Sequence, residues 1–150
     1  MKVLFVCSAN ICRSALAEVV FRAELEKLGV EGVEVTSAGI YDFSGRNRDS
    51  MMCDIAHEAG YELGGISRHL TQADIDSSDL IIVMDWSHYV KIQQELAYEK
   101  WNRLHLFREI CFGEKEDVPD PTFDTEARYR SVFQQIVEGC RKLAGRGFSF

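Results

Sequence analysis

Cys7, Cys12 and Arg13 stand within seven positions of one another in "FVCSANICRSA" (residues 5–15). Two thiols and a guanidinium so close together have four uses: a disulfide, a metal site, a packing cluster or a reactive thiol. The cysteines of the chain, Cys7, Cys12, Cys53, Cys111 and Cys140, are odd in number and include no Cys-x-x-Cys pair. The first apolar run is too short for a signal-peptide core, so a disulfide framework is not expected. Zinc is not expected either, because Arg13 would sit beside both thiolates and repel a cation. Reduced cysteines with individual roles remain.

A reactive thiol needs a frame. "KVLFV" (2–6) is a continuous apolar, β-forming run, which predicts a strand buried on both faces. From Ser14 the period changes: Ala17, Phe21, Leu25 and Leu28 form a helical stripe that Gly29 closes. Residues 8–13 therefore form a loop whose backbone N–H groups can turn inward above the positive end of a helix, a geometry that binds oxyanions. Arg13 adds a planar fork suited to two phosphate oxygens. The same field favours the thiolate form of Cys7. A thiolate beneath a bound phosphoryl group is set for in-line attack, giving a phosphocysteine, while the surrounding donors stabilise the charge that builds up. Cys-x5-Arg becomes specific when serine follows it and a buried strand precedes it.

The remaining elements alternate in the same way. "GVEVTSAG" (32–39) reads as a strand, Asp49 through Gly60 as a helix, "DLIIVMD" (79–85) as a strand, 86–101 as helical and "RLHLF" (103–107) as a short strand. Tyr129, Phe133, Ile136, Cys140 and Leu143 give a last helix its buried stripe, capped by Asp124 or Thr125. This order predicts an α/β fold: a small doubly wound four-stranded parallel sheet of flavodoxin-like type, order 2-1-3-4, with helices on both faces. Ligands then bind beyond the carboxyl ends of the strands, in the loops starting at Cys7, Ser37, Asp85 and Arg108.

Length and composition bound the rest. The 150 residues fit one domain spanning 1–150. A net charge of −7 argues against nucleic acid as a partner, and nothing approaches a membrane span, so a cytoplasmic protein is expected. His57, His69, His88 and His105 show no metal spacing and read as surface or packing residues.

"VCSANICRSALAE" resembles the phosphate-binding signature of the low-molecular-weight protein tyrosine phosphatases, V-C-x-G-N-I-C-R-S-P-x-A-E. "TSAG" (36–39), "RHLT" (68–71), "DLIIVMD" and "VPDP" (118–121) extend the similarity along essentially the whole chain. The resemblance implies hydrolysis of phosphotyrosine in proteins through a phosphocysteine, with no metal and no cofactor, on substrates made by an opposing tyrosine kinase. It makes Cys7 the nucleophile and Arg13 the phosphoryl clamp, in a loop completed by Ser8, Ala9, Asn10, Ile11 and Cys12. It gives Ser14 the task of stabilising the thiolate, Asn10 that of holding the strained loop, and Ser37 a place in the network around it. Cys12 is then either a packing residue or the partner that captures an oxidised Cys7 as a disulfide. Asp120 matches the general acid. The chemistry asks for one, because a thiolate does not readily expel a phenolate without a proton donor. Pro119 and Pro121, the only prolines, flank it and stiffen its presentation. Phe43 and Phe123 fall where the family carries aromatic walls, and Asp85 reads as a supporting residue.

The departures from the family pattern are Ser8 for an apolar residue, Ala9 for glycine, Ala15 for proline, Gly65 for a histidine of the loop network, and "DPTF" for Asp-Pro-Tyr-Tyr. Three other readings compete. Phosphoarginine phosphatases of this fold tend to carry threonine after the loop asparagine, where this chain has Ile11. Thiol-dependent arsenate reductases need further cysteines after the third strand, and 86–101 contains none. A catalytically silent phosphotyrosine-binding module would lack Cys7, Arg13 or Asp120.

Overall fold

Period-two alternation decides which way each strand faces. In β1 (Lys2–Cys7) Val3 and Phe5 point to one side of the sheet and Leu4 and Val6 to the other, and all four are fully buried. In β3 (Leu80–Val83) Leu80 and Ile82 oppose Ile81 and Val83 in the same manner. With β2 (Glu34–Gly39) and β4 (Leu104–Leu106) these strands form one parallel sheet in the order β2-β1-β3-β4. This computed structural model describes residues 1–147.

Helices cover both faces, as a parallel sheet requires. On the first face lie α1 (Arg13–Lys27), α2 (Ser50–Glu58), α5 (Phe107–Phe112) and α6 (Glu126–Gly145). There Phe5 meets Phe21 edge to face at 5.5 Å and Phe107 at 6.4 Å. On the second face α3 (Gln72–Ser77) and α4 (Trp86–Glu95) bury Ile75 and Ile92 against Leu4, Val6, Ile81 and Val83. Each such side chain contributes about 1.5–3 kcal/mol by leaving water.

Beyond shifts of about two residues at element ends, the elements differ from the sequence expectation in four places. Helix α1 ends at Lys27, and the expected stripe residue Leu28 is its exposed C-cap. Gly29, at φ 67°, donates to Glu26 O and Val30 donates to Leu25 O, which turns the chain out of the helix before Leu28 can reach the core. The expected 86–101 helix breaks after Glu95 into a 3₁₀ turn over Tyr98–Arg103. The expected strand at 103–107 keeps only Leu104–Leu106, because Phe107 opens α5. Helix α3 falls where no element was expected. Thr125, rather than Asp124, caps α6 by accepting from Arg128 N. No helix among the described residues is long and apolar enough to cross a membrane.

Candidate active site

Parallel register brings the carboxyl ends of the strands together, with Cys7 opposite Gly39 and Val6 opposite Val83. The chain leaves β1 there, makes the loop 8–12 and enters α1 at Arg13. The loop's carbonyls are turned outward onto the scaffold. Cys7 O accepts from Ile40 N and Ser8 O from Tyr41 N, each at 2.9 Å, and Ile11 O accepts from Asp49 N at 2.8 Å. Asn10 O accepts from Arg48 Nη1. By contrast, the backbone N–H groups of Ser8 through Cys12 have no acceptor among the described residues. No side chain caps the start of α1. Successive unpaired N–H groups over a helix N-terminus suit a tetrahedral oxyanion.

Asn10 holds this inverted loop. It adopts φ 60° and is fully buried. Its Nδ2 donates to Ser14 Oγ and Ser37 Oγ, both at 2.9 Å. Its Oδ1 accepts from Arg68 N at 2.9 Å and Arg48 Nη1 at 3.1 Å. A left-handed asparagine tolerates the conformation because every polar atom of its side chain is satisfied. Ser37 Oγ donates its own hydrogen bond to Glu18 Oε1 at 2.9 Å. Ser14 Oγ, already an acceptor from Asn10, lies 2.9 Å from Cys7 Sγ, with Ala38 O, at 3.5 Å, its only other acceptor among the described residues. The network thus directs the Ser14 proton at the sulfur. Ala9 lies outside the left-handed region, so its Cβ in place of the family's glycine is accommodated.

The guanidinium of Arg13 is buried and fixed from behind. Its Nη1 donates to Asp85 Oδ2 at 3.1 Å and to Val118 O at 2.8 Å. Asp85 also caps α4, where its Oδ1 accepts from Ser87 N at 3.0 Å and His88 N at 3.3 Å. Burial raises the Asp85 pKa, but the Ser87 hydroxyl, His88 and Arg13 outweigh it and hold the carboxyl below the usual carboxylate range. Asp85 is therefore an anion that fixes the plane of Arg13. Burial first, then Asp49 and the neighbouring Cys7, push the Cys12 thiol far up, so Cys12 stays protonated.

Asp120 projects at the rim. Its Oδ1 accepts from Thr122 N at 3.0 Å and Thr122 Oγ1 at 2.7 Å, while Oδ2 has no hydrogen bond among the described residues and stands 3.9 Å from Arg13 Nη2. The cleft between rim and loop has a volume of about 380 Å³. Loop residues Cys7, Ser8, Ala9, Ile11, Cys12 and Arg13 form its floor, with Asp120 at one edge. Phe43 and Phe123 stand in its walls, Phe123 wholly exposed and at φ 64°. Asn10, Ser14 and Ser37 lie buried behind the floor.

Five residues escaped the sequence reading. Tyr41 and Arg46 also line the cleft, with the Arg46 guanidinium 4.9 Å from the Phe43 ring centre and Lys91 Nζ 4.5 Å from that of Tyr41. Arg48 reaches Asn10 and Gly64 O, and its Nη2 would lie 3.7 Å from a Cβ at Gly65. His88 is buried against Ser8 and Asp85, so it belongs to the site and not to remote packing. Gly39 is required by contact: a Cβ there would come within 2.7 Å of the Ala9 carbonyl carbon and 3.0 Å of Asn10 N. The "TSAG" motif carried that signal, since a strand ending in glycine marks a close approach.

An α/β sheet whose first loop wraps Cys-x5-Arg around an open oxyanion cradle is an architecture suited to a phosphatase. The low molecular weight phosphotyrosine protein phosphatase family model matches residues 2–147, and the chain belongs to that family. It is 33% identical to the low molecular weight protein-tyrosine-phosphatase YfkJ of Bacillus subtilis, over 95% of this chain and 93% of YfkJ. A crystal structure of a protein tyrosine phosphatase from Entamoeba histolytica superposes with a TM-score of 0.88 at 28% identity, covering 95% of this chain and 94% of that one. A mutant of the YwlE arginine phosphatase, with a phosphorylated active-site serine, superposes with a TM-score of 0.90 at 27% identity, covering 97% and 95%.

Proposed function

We propose that this phosphatase hydrolyses phosphotyrosine in proteins through a phosphocysteine on Cys7. The observation that carries the reading is the loop itself, with its carbonyls bonded outward and the N–H groups of residues 8–12 unpaired around the cysteine. Cys7 Sγ attacks phosphorus as the bond to the aryl oxygen breaks. Asp120, through its free Oδ2, gives the departing phenolate its proton. Arg13 and the loop N–H groups hold the three phosphoryl oxygens throughout. Asp120, now a carboxylate, takes a proton from water, which attacks phosphorus and releases inorganic phosphate. The Ser14 hydroxyl stabilises the departing Cys7 thiolate.

Depth and walls support an aryl substrate. The cysteine is only 3% exposed at the floor, so a short phosphoserine brings its phosphate down less readily than a long flat phosphotyrosine. Phe43, Phe123 and Ile11 offer apolar surface to the ring. A tyrosine kinase acting in opposition would supply such substrates. Cys12, a protonated thiol in the same cleft, suits a protective role in which oxidised Cys7 condenses with it, and a Cys7–Cys12 linked peptide after peroxide treatment is the signature of that step.

The relation to an arginine phosphatase makes phosphoarginine the second reading. Turnover of matched phosphotyrosine, phosphoserine and phosphoarginine peptides separates them. Phosphotyrosine is expected to exceed the other two in kcat/KM by at least about tenfold, equivalent to about 1.4 kcal/mol. A phosphoarginine preference would transfer the same chemistry to the second substrate class.

A further inference from the structure

Ser8 follows Cys7 in the loop and lines the cleft, and its hydroxyl is gripped from behind. His88, in the first turn of α4, brings Nε2 to 2.9 Å from Ser8 Oγ. The other ring nitrogen fixes which atom donates. Nδ1 lies 3.3 Å from Asp85 N, a backbone amide that can only donate, and farther, at 3.5 Å, from Asp85 Oδ1; the shorter contact makes Nδ1 the acceptor. The ring is buried, and that burial lowers its pKa to about 4 against the pull of Asp85, with Arg13 adding to the fall. At neutral pH the single imidazole proton is therefore on Nε2 and is donated to Ser8 Oγ. Arg13 Nη2, at 3.5 Å, is a second donor towards the same oxygen. Ser8 Oγ thus receives donors on its lone pairs, and its own proton has no acceptor among the described residues. That proton is left for the contents of the cleft.

We propose that the Ser8 hydroxyl, oriented by His88, donates a hydrogen bond to an oxygen of the bound phosphoryl group. Ser8 is then a further catalytic residue, and His88 is a positioning residue acting through it. The inference rests on the phosphatase reading above. It also accounts for a polar residue at the position after the cysteine: with His88 behind it, the hydroxyl adds a side-chain donor to the backbone cradle. Because charge on the phosphoryl oxygens is shared with the attacking and leaving groups during transfer, a donor in this position stabilises both bound phosphate and the transition state.

Competitive inhibition by inorganic phosphate, read beside kcat/KM for an aryl phosphate, tests this. Ser8→Ala is expected to raise the phosphate inhibition constant and lower kcat/KM, each by about tenfold, the effect of losing one hydrogen bond to a charged group. Ser8→Thr, which keeps the hydroxyl, should recover both to within about threefold. His88→Leu should reproduce Ser8→Ala, and the double variant should lose no more than either alone, because the two residues act in series. His88→Gln restores an N–H near the Nε2 position and should recover part of the loss. Unchanged phosphate inhibition in Ser8→Ala, or Ser8→Thr failing alongside it, would overturn the proposal. If His88→Leu does not fold, the Ser8 pair alone decides. A wild-type protein that binds phosphate through Ser8 yet hydrolyses no aryl phosphate would instead defeat the phosphatase reading and leave this contact standing.

Discussion

Asp120 and Asp85 are two carboxylates on either side of one guanidinium, and their surroundings give them different work. Asp85 accepts from Arg13 through Oδ2 and from Ser87 and His88 through Oδ1, and is held ionised, so both of its oxygens are engaged in positioning. Asp120 is half exposed and bonded through one oxygen only, and the other faces the cleft beside Arg13. These surroundings suit Asp120 to the proposed proton transfer and Asp85 to orienting Arg13. Asp120→Ala is expected to slow hydrolysis of a phenyl phosphate by about 10²–10⁴-fold, and to slow a substrate with a strongly acidic leaving group far less. Steady-state rates on such a pair of substrates check this. Equal losses on both would remove Asp120 from the acid's role. At this scale the placement was largely legible in the sequence, because Cys7, Arg13 and Asp120, which line one cleft, sit in short motifs. Arg48 and His88 were not, since each reaches the loop from 38 and 80 residues away and carries no local pattern.

At the scale of elements, the loop keeps its shape because neighbouring segments occupy its carbonyls. The segment after β2 supplies Ile40 N and Tyr41 N, and the N-cap of α2 supplies Asp49 N. Asp49 is itself tied to α6 through Tyr129 Oη at 2.8 Å. The close contact of β2 with the loop depends on Gly39, whose missing Cβ leaves room for the Ala9 and Asn10 backbone. Backbone atoms on both sides cannot yield as a flexible side chain would. Gly39→Ala is thus expected to destabilise the fold by about 1–3 kcal/mol and to weaken phosphate binding, measured by chemical denaturation and by phosphate inhibition. Gly145→Ala, at an open position in α6 where the added carbon meets no other element of the described residues within 4 Å, should leave phosphate inhibition unchanged. A tight-binding, fully stable Gly39→Ala would mean that the loop does not depend on this contact. The helices the sequence concealed, α3 and α5, are six residues each. That is less than two turns, too short to display a 3.6-residue period. The 3₁₀ turn after α4 is similarly hidden, since its residues continue a helical composition and only the backbone changes.

For the whole molecule, the sheet aligns four carboxyl ends so that one loop can be held open from several directions. The strands were legible because a parallel sheet buried on both faces writes itself as apolar runs, "KVLFV" and "LIIV". Their order followed from alternation with helices and was met by β2-β1-β3-β4. The aromatic rim was legible only in part. Phe43 and Phe123 line the cleft as expected, but Tyr41 and Arg46 join them through a loop whose path depends on tertiary bonds to Ser8 and Ser67. What the fold assembles is a buried Cys7 thiol beneath the inverted loop 8–12, and the proposed function makes that thiol the nucleophile. Rapid quenching of the protein while it turns over a phosphotyrosine peptide, followed by mass-spectrometric mapping, tests that most directly. The expected result is phosphate on the peptide bearing Cys7, with both adduct and turnover lost in Cys7→Ala. Phosphate on another residue, or undiminished turnover by Cys7→Ala, would contradict the account.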